Sequence, residues 1–395
     1  MFVSVSSAYY FNIFDFIYST KYLSLLKTDI VLISVLILIL LSVLIIYIYK
    51  KNKIIVPLWF SISLILLVLI CDNINGTARK PFILFGINYN NEKMGKIVDD
   101  NIASSALLTI SMDLMNYYEQ KKNEYTGSKV ENIFYTDIAQ NFQFVKQREN
   151  IILVIMESFG LNADSLKYLK IIDPILKLRP YYNVSIIKER FYGSTIAAES
   201  KELLGYKGIP YNLLKNKSFM DTLISVPKIL KMKGFVSYAF HGFSGSMFER
   251  KYWWNNIGFD SIYFLEDFVN PESILVGKAL PGISDRLIIK SIKDKIEVNG
   301  YPNPFFIYVL TLNAHLPLSK NLTNVYQISN YDDLEVPQIL DSINHTILRD
   351  IADLIKVTKN TNIFIVGDHP PPLGNNLKRY YDERYIPVIV VVPKK

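Results

Sequence analysis

Residues 149–395 predict an α/β sandwich built on a mainly parallel central sheet, and three features point to it. Short runs of β-branched and aromatic residues recur at 151–156, 184–187, 235–240, 305–310, 362–366 and 386–392. Most are continuously apolar rather than alternating, as strands covered on both faces must be. Helix-forming stretches at 220–233, 284–298 and 337–359 are interspersed among them, the strand–helix rhythm of a parallel sheet. About 245 residues is also ample for one sizeable core.

The N-terminal part reads differently. Hydrophobic residues make up 50% of the 395-residue chain, and the excess is concentrated near its start. Residues 30–49 are apolar apart from Ser34 and Ser42. Some 20 such residues, as a helix, cross ~30 Å of hydrocarbon. A second run, 54–70, carries Pro57 near its start, where a helix tolerates it. Between them lies a basic turn, Lys50-Lys51-Asn52-Lys53, which the positive-inside rule places in the cytoplasm. Everything after Cys71 is then extracytoplasmic.

Residues 1–29 are aromatic-rich but broken by Asn12, Asp15, Lys21 and Lys27, the composition of an interfacial segment. The expected layout is an interfacial segment (1–29), two transmembrane helices (30–71), a helical linker (72–148) and a catalytic domain (149–395). That layout predicts a multi-pass protein of the cell membrane. Within the linker, Ile97, Ile102, Leu107, Ile110, Leu114 and Tyr118 recur at helical spacing.

The formal charge of +7 comes from Lys and Arg scattered among Asp and Glu, with no basic stripe and no nucleic-acid motif. Nucleic acid is therefore not an expected partner, whereas anionic lipid headgroups suit the balance. With Cys71 the only cysteine, disulfides and thiolate metal sites within one chain are excluded.

Chemistry concentrates where strands end. Glu157 follows six apolar residues, and a buried carboxylate there needs a matching charge. A cation provides one; capping the next helix is the alternative. Asp368-His369 ends another apolar run and is followed by Pro370, Pro371 and Pro372, which hold the pair rigidly. Thr195, in Gly193-Ser194-Thr195, precedes a good helix former, so backbone N–H groups and the helix dipole favour a phosphate beside it. An ordinary N-cap is the plainer reading of that threonine, and Ser194 is an alternative nucleophile.

Of the 4 histidines, His241, His315 and His369 follow strands, while His345 falls inside a helix and reads as structural. Arg250, in an aromatic-rich loop, is a candidate for bidentate phosphate binding. Two carboxylates, an imidazole and a hydroxyl are suitable donors for one divalent metal that activates an oxygen nucleophile. The expected activity is metal-dependent chemistry on phosphate or sulfate esters.

In this order the motifs resemble the sulfatase-like branch of the alkaline phosphatase superfamily, above all the lipoteichoic acid synthase and membrane phosphoglycerol transferase group. The resemblance spans 149–395 and implies an alkaline-phosphatase-like sandwich. It makes Glu157, Thr195, Asp368 and His369 the metal ligands and Thr195 the nucleophile. It also places Arg250, His241 and His315 on the substrate, with His315, in Asn313-Ala-His315-Leu-Pro, touching the transferred phosphate.

The implied reaction moves phosphoglycerol from phosphatidylglycerol, a membrane phospholipid donor, to a cell-surface glycan or glycolipid through a phosphothreonine. Mn²⁺ is the implied cofactor; the ligand set leaves Zn²⁺ and Mg²⁺ as alternatives. A phosphoethanolamine transferase, or a phosphodiesterase or sulfatase of the same fold, is the alternative activity. The chain departs from the family pattern at Phe248, usually tryptophan, at Phe243, usually polar, and at Pro370-Pro371. Gly282-Ile-Ser-Asp285 also resembles the family, in a structural role.

Overall fold

The continuous apolar runs fold as buried strands. The computed structural model describes residues 132–141 and 149–394, together with Leu40 and Lys129. It is interrupted at 207–208, 210, 215, 269–274, 277–280, 299, 317, 359 and 374–376. The interfacial segment 1–29, the spans within 30–71 and the linker helix near 97–118 lie outside the described residues. Among the described residues no helix is long and apolar enough to cross a membrane.

In chain order the strands are β1 (Asn150–Met156), β2 (Tyr182–Arg190), β3 (Val236–His241), β4 (Ser261–Tyr263), β5 (Leu275–Val276), β6 (Gly282–Ile283), β7 (Phe305–Leu310), β8 (Thr361–Gly367) and β9 (Tyr385–Pro393). Seven of them form one sheet in the order β2-β9-β8-β1-β7-β3-β4, and β5 and β6 pair separately. β8, β1, β7, β3 and β4 run parallel. β9 is antiparallel to β8, and β2 is antiparallel to β9. The sheet is thus mainly parallel, as its unbroken apolar strands predict.

β1 is central and buried along its whole length. Edge strand β2 alternates between half-buried and exposed positions over most of its length, as a strand with one open side does. The short strand β4 and the β5–β6 pair are too brief to register as apolar runs.

The helices that position the site are α1 (Ser165–Leu176), α2 (Thr195–Leu204), α3 (Val226–Met232), α4 (Arg250–Asn256), α5 (Asp285–Glu297) and α6 (Val336–Val357). α1 begins where Asp164 accepts hydrogen bonds from the Leu166 and Lys167 amides, satisfying two orphan donors. Pro174 lies inside it and obscures its periodicity. The single helix expected over 220–233 is two, Lys217–Thr222 and α3. Ser225 caps α3 by accepting from the Lys228 amide, and Pro227 stands in its first turn, where its missing N–H costs nothing. Arg250, expected in a loop, is the first residue of α4.

Each face of the sheet buries its own set of side chains. Ile152, Val154, Met156, Ile307, Val309, Ile363 and Ile365 pack with Ile172, Ile288, Ile343 and Ile347 of α1, α5 and α6. On the other face Phe134 stacks on Phe306 and meets Phe364 edge-on, with ring centroids 6.0 and 5.0 Å apart. Phe259 stacks on Phe306 and Tyr308 there as well.

The Phe134 segment is tied down by polar contacts. The Ile133 amide donates to Glu189 Oε1 at 2.8 Å, and Asn132 Nδ2 donates to the Lys201 carbonyl at 2.6 Å. Beneath it Lys201 Nζ contacts the Glu189 carboxylate and lies 2.9 Å from Glu202 Oε1.

One ammonium cannot neutralise two carboxylates, the buried Glu202 and the half-buried Glu189. Burial pushes the Glu202 carboxyl up to about 7, with Lys201 opposing and Glu189 adding to the rise. Lys201 is itself raised, because its two carboxylates outweigh its burial. The folded chain therefore holds the Glu202 proton more tightly than the unfolded chain, where the value is near 4.5. The free energy of unfolding should fall as pH rises through that interval. Glu202→Gln is expected to make the fall shallower, measured by urea unfolding at several pH values; an unchanged slope would place the titration elsewhere.

Candidate active site

The strand order brings the chemistry together. In the parallel pairing of β1 with β8, Met156 faces Gly367, so Glu157 and Asp368, the next residue of each strand, emerge side by side. On the other flank β7 pairs in parallel with β1, and the Thr311 amide extends that ladder to the Ile155 carbonyl at 3.0 Å. His241, the last residue of β3, stands opposite Leu310. Four adjacent strand ends thus deliver His241, Thr311, Glu157 and Asp368-His369 to one carboxyl-terminal edge, where open α/β sheets bind ligands.

Glu157, Asp368 and His369 each offer a ligand atom within 4.8 Å of the others, and all three are buried. His369 Nε2 lies 3.2 Å from Asp368 Oδ2 and 3.6 Å from Glu157 Oε1. Its Nδ1 lies 2.9 Å from the Pro370 carbonyl. A carbonyl only accepts, so Nδ1 carries a proton, and in the neutral ring Nε2 turns its lone pair toward the carboxylates. The proline following His369 thereby orients the imidazole.

Burial, and then the charge of Glu157, push the Asp368 carboxyl well above its usual range. Two carboxylates and an imidazole lone pair converging in a desolvated space repel one another. A divalent cation removes that repulsion, so the donor set fits one.

The carboxylates are held in place from behind. The Glu157 amide donates to Thr311 Oγ1 at 2.8 Å, the Ser158 hydroxyl to Glu157 Oε1 at 2.9 Å and the Ser158 amide to Asp368 Oδ1 at 2.8 Å. Ser158 does this from a left-handed conformation, φ 52°, the sort of local strain that collects at functional sites. Gly367 is required by a close approach: a Cβ there would lie 2.1 Å from the Phe159 carbonyl oxygen.

Thr195 is the first residue of α2, and Ser194 occupies the cap position without a side-chain capping bond. The Thr195 hydroxyl does not cap the helix. It lies 3.0 Å from Asp368 Oδ2 and 3.2 Å from Glu157 Oε2. The backbone bonds of α2 begin with the Ala197 and Ala198 amides, which donate to the Ser194 carbonyl, so the Thr195 and Ile196 amides at its start are placed to meet an anion.

His315 is half-buried, and its amide bonds to the Leu312 carbonyl at 2.9 Å. Its loop is pinned by Asp285, whose carboxylate accepts from the Leu312 and Asn313 amides at 2.9 and 2.8 Å. Asn313 Oδ1 in turn accepts from the Asp285 amide at 2.8 Å. Burial lowers the His315 imidazole from its usual range against the opposing charge of Glu157, so the neutral ring is favoured.

Arg250 is buried and donates from Nε and Nη2 to Glu199 Oε2 at 3.0 and 2.9 Å. Its Nη1 lies 3.5 Å from His241 Nε2. His241 Nδ1 bonds to the Leu310 carbonyl at 3.1 Å, and burial followed by the Arg250 charge keeps this ring well below its normal pKa. His345, as expected of a structural histidine, bonds through Nδ1 to the Lys170 and Ile171 carbonyls of α1.

Sequence reasoning missed Ser158, Glu199 and Thr311. Of these only Glu199 had a signal, its position one helical turn after Thr195. Gly367→Ala is expected to cost about 1–3 kcal/mol of stability through overpacking. It should also weaken divalent-metal binding at the Glu157–Asp368–His369 group, because the strand end carrying Asp368 must shift. Denaturant unfolding and calorimetry check both, and wild-type values in both would contradict the close approach.

A family model described as Sulfatase matches residues 149–394. A putative cyclic β-1,2-glucan modification protein of Rhizobium meliloti is 23% identical over 240 residues, which are 58% of this chain and 36% of that protein. Lipoteichoic acid synthase 2 of Bacillus subtilis is 23% identical over 261 residues, 59% of this chain and 37% of that protein. The chain thus spans little more than a third of the length of these curated relatives. Among solved structures, the lipoteichoic acid synthase LtaP of Listeria monocytogenes superposes with a TM-score of 0.49 at 17% identity, covering 66% of this chain and 71% of that one.

Proposed function

The chain belongs to the sulfatase family, and from that premise we propose that it is a membrane-anchored, metal-dependent transferase of alcohol phosphates. Its donor is a phospholipid, phosphatidylglycerol, and its acceptor a cell-surface glycan or glycolipid. The observation that carries this reading is the Thr195 hydroxyl, 3.0 and 3.2 Å from two buried carboxylates at the start of a helix. The kinship with a lipoteichoic acid synthase supports phosphoglycerol as the transferred group. The apolar runs within 30–71 support an anchor that keeps an extracytoplasmic catalytic domain beside its lipid donor.

Glu157, Asp368, His369 and the Thr195 oxygen would hold the divalent ion, with Mn²⁺ the favoured metal. Such an ion would lower the pKa of an adjacent hydroxyl and offset phosphoryl charge. Thr195 attacks phosphorus; an Oγ–P bond forms, the bond to the diacylglycerol oxygen breaks, and the proton given up by the threonine hydroxyl ends on that oxygen, directly or through solvent, as diacylglycerol departs. The first amides of α2 and the Arg250 guanidinium bind the phosphoryl oxygens, where negative charge builds. His315, as a neutral imidazole, donates an N–H to the phosphate or to the departing oxygen. An acceptor hydroxyl then displaces the threonine ester, regenerating Thr195.

Incubating the full-length protein with phosphatidylglycerol and Mn²⁺, followed by mass spectrometry, tests this. A glycerophosphoryl adduct is expected on Thr195 and none in Thr195→Ala, whose turnover should fall by roughly 10³-fold or more. An adduct on Ser194 would reassign the nucleophile, and phosphatidylethanolamine as the only productive donor would reassign the substrate. Release of free glycerol phosphate with no dependence on a glycan acceptor would make the protein a hydrolase.

A further inference from the structure

Glu199 lies four residues after Thr195, so the two project from the same side of α2. It is fully buried, and its carboxylate is surrounded by donors. Oε2 accepts from Arg250 Nε and Nη2, while Oε1 accepts from Trp254 Nε1 at 3.1 Å and the Tyr308 hydroxyl at 3.3 Å. An acid buried this deeply in an aromatic core persists because those donors replace water.

Arg250 is fixed from a second direction. The Leu310 carbonyl holds the proton on His241 Nδ1, which leaves Nε2 as the acceptor facing Nη1. The residues leading into Arg250, Phe248 and Glu249, are both left-handed at φ 54°, and the Phe248 ring lies 5.2 Å from the guanidinium carbon. Of the five guanidinium N–H bonds, Glu199 takes two and His241 one. Among the described residues no acceptor takes the other two, which sit on a buried arginine whose partner acid stands one turn from Thr195.

We propose that Glu199 is a positioning residue. By gripping the Nε–Nη2 edge of Arg250 it aims the two remaining N–H bonds at the phosphoryl group carried by Thr195. The substrate class this selects is a tetrahedral oxyanion presenting two oxygens to a fork. Because Glu199 also balances the arginine charge, Arg250 acts by direction more than by net charge. The inference rests on the reading of Thr195 as the phosphoryl acceptor.

The test is a double-mutant cycle on the full-length protein loaded with Mn²⁺. The probes are inorganic phosphate, bound calorimetrically, and bis(p-nitrophenyl) phosphate, followed kinetically. Neither is a lipid, so a protein that obeys the cycle but ignores phosphatidylglycerol keeps this inference and loses the donor proposed above. Glu199→Gln and Arg250→Gln are each expected to weaken phosphate binding about tenfold, the scale of a lost charge-assisted contact. KM for the diester should rise by a similar factor, and the double variant should bind no worse than Arg250→Gln alone.

Additive losses, wild-type affinity in Glu199→Gln, or no phosphate binding by the wild type would each overturn the proposal. Glu199→Asp covers the case in which the glutamine variant fails to fold. It keeps the charge but shortens the arm, so positioning requires reduced phosphate affinity, and full affinity would sink the idea.

Discussion

Two acids forced together at the end of parallel strands are the constraint around which this domain is organised. The β1–β8 register aligns Met156 with Gly367, so Glu157 and Asp368 must leave the sheet as neighbours. Both are buried, and burial followed by the Glu157 charge raises the Asp368 carboxyl well above its usual range. The structure does not relieve this by separating them. It locks them in place with the Thr311 hydroxyl and the left-handed Ser158, leaving a donor set that suits a divalent cation. Gly367 belongs to the same constraint, since any side chain there would collide with the Phe159 carbonyl.

A second tier of buried acids holds the parts that surround this pair. Asp285, whose carboxyl burial pushes up to about 7, gathers the Leu312 and Asn313 amides and so sets the course of the chain toward His315. Glu199 ties α2 to α4 through Arg250 and to β7 through Tyr308. Complete desolvation raises its carboxyl, opposed by the arginine charge and by hydrogen bonds from Arg250, Trp254 and Tyr308. Each acid costs free energy to bury and returns rigidity. Catalytic geometry needs that rigidity, because rate falls steeply when reacting groups drift by an ångström.

The aromatic layer beneath supports the same frame. Trp254 lies against Phe264, Phe259 and Tyr308 while its indole N–H bonds to Glu199. One residue thus joins the apolar core to the polar site, as the amphipathic indole is suited to do. Its neighbour Trp253 is equally buried, so α4, which carries Arg250, is anchored along its inner side.

The sequence by itself determined the strand runs, the mainly parallel α/β class, the placing of Glu157, Thr195 and Asp368-His369 at strand or helix ends, and that of His315 beyond the strand before it. These are local properties: apolar continuity marks a doubly covered strand, and a polar residue that ends such a run can only sit at its edge. Tertiary structure alone decided which edges became neighbours. The order β3-β7-β1-β8 and the register of β1 on β8 depend on pairings between residues from about 70 to about 210 positions apart, which no local window records. The same holds for Glu199, which reads as an ordinary helical acid until Arg250 folds against it, and for Ser158, whose left-handed turn follows from the carboxylates it must reach. Helix α1 was hidden by Pro174, and the start of α4 by two left-handed residues that no composition rule anticipates. Local chemistry chose the groups; long-range burial chose their partners.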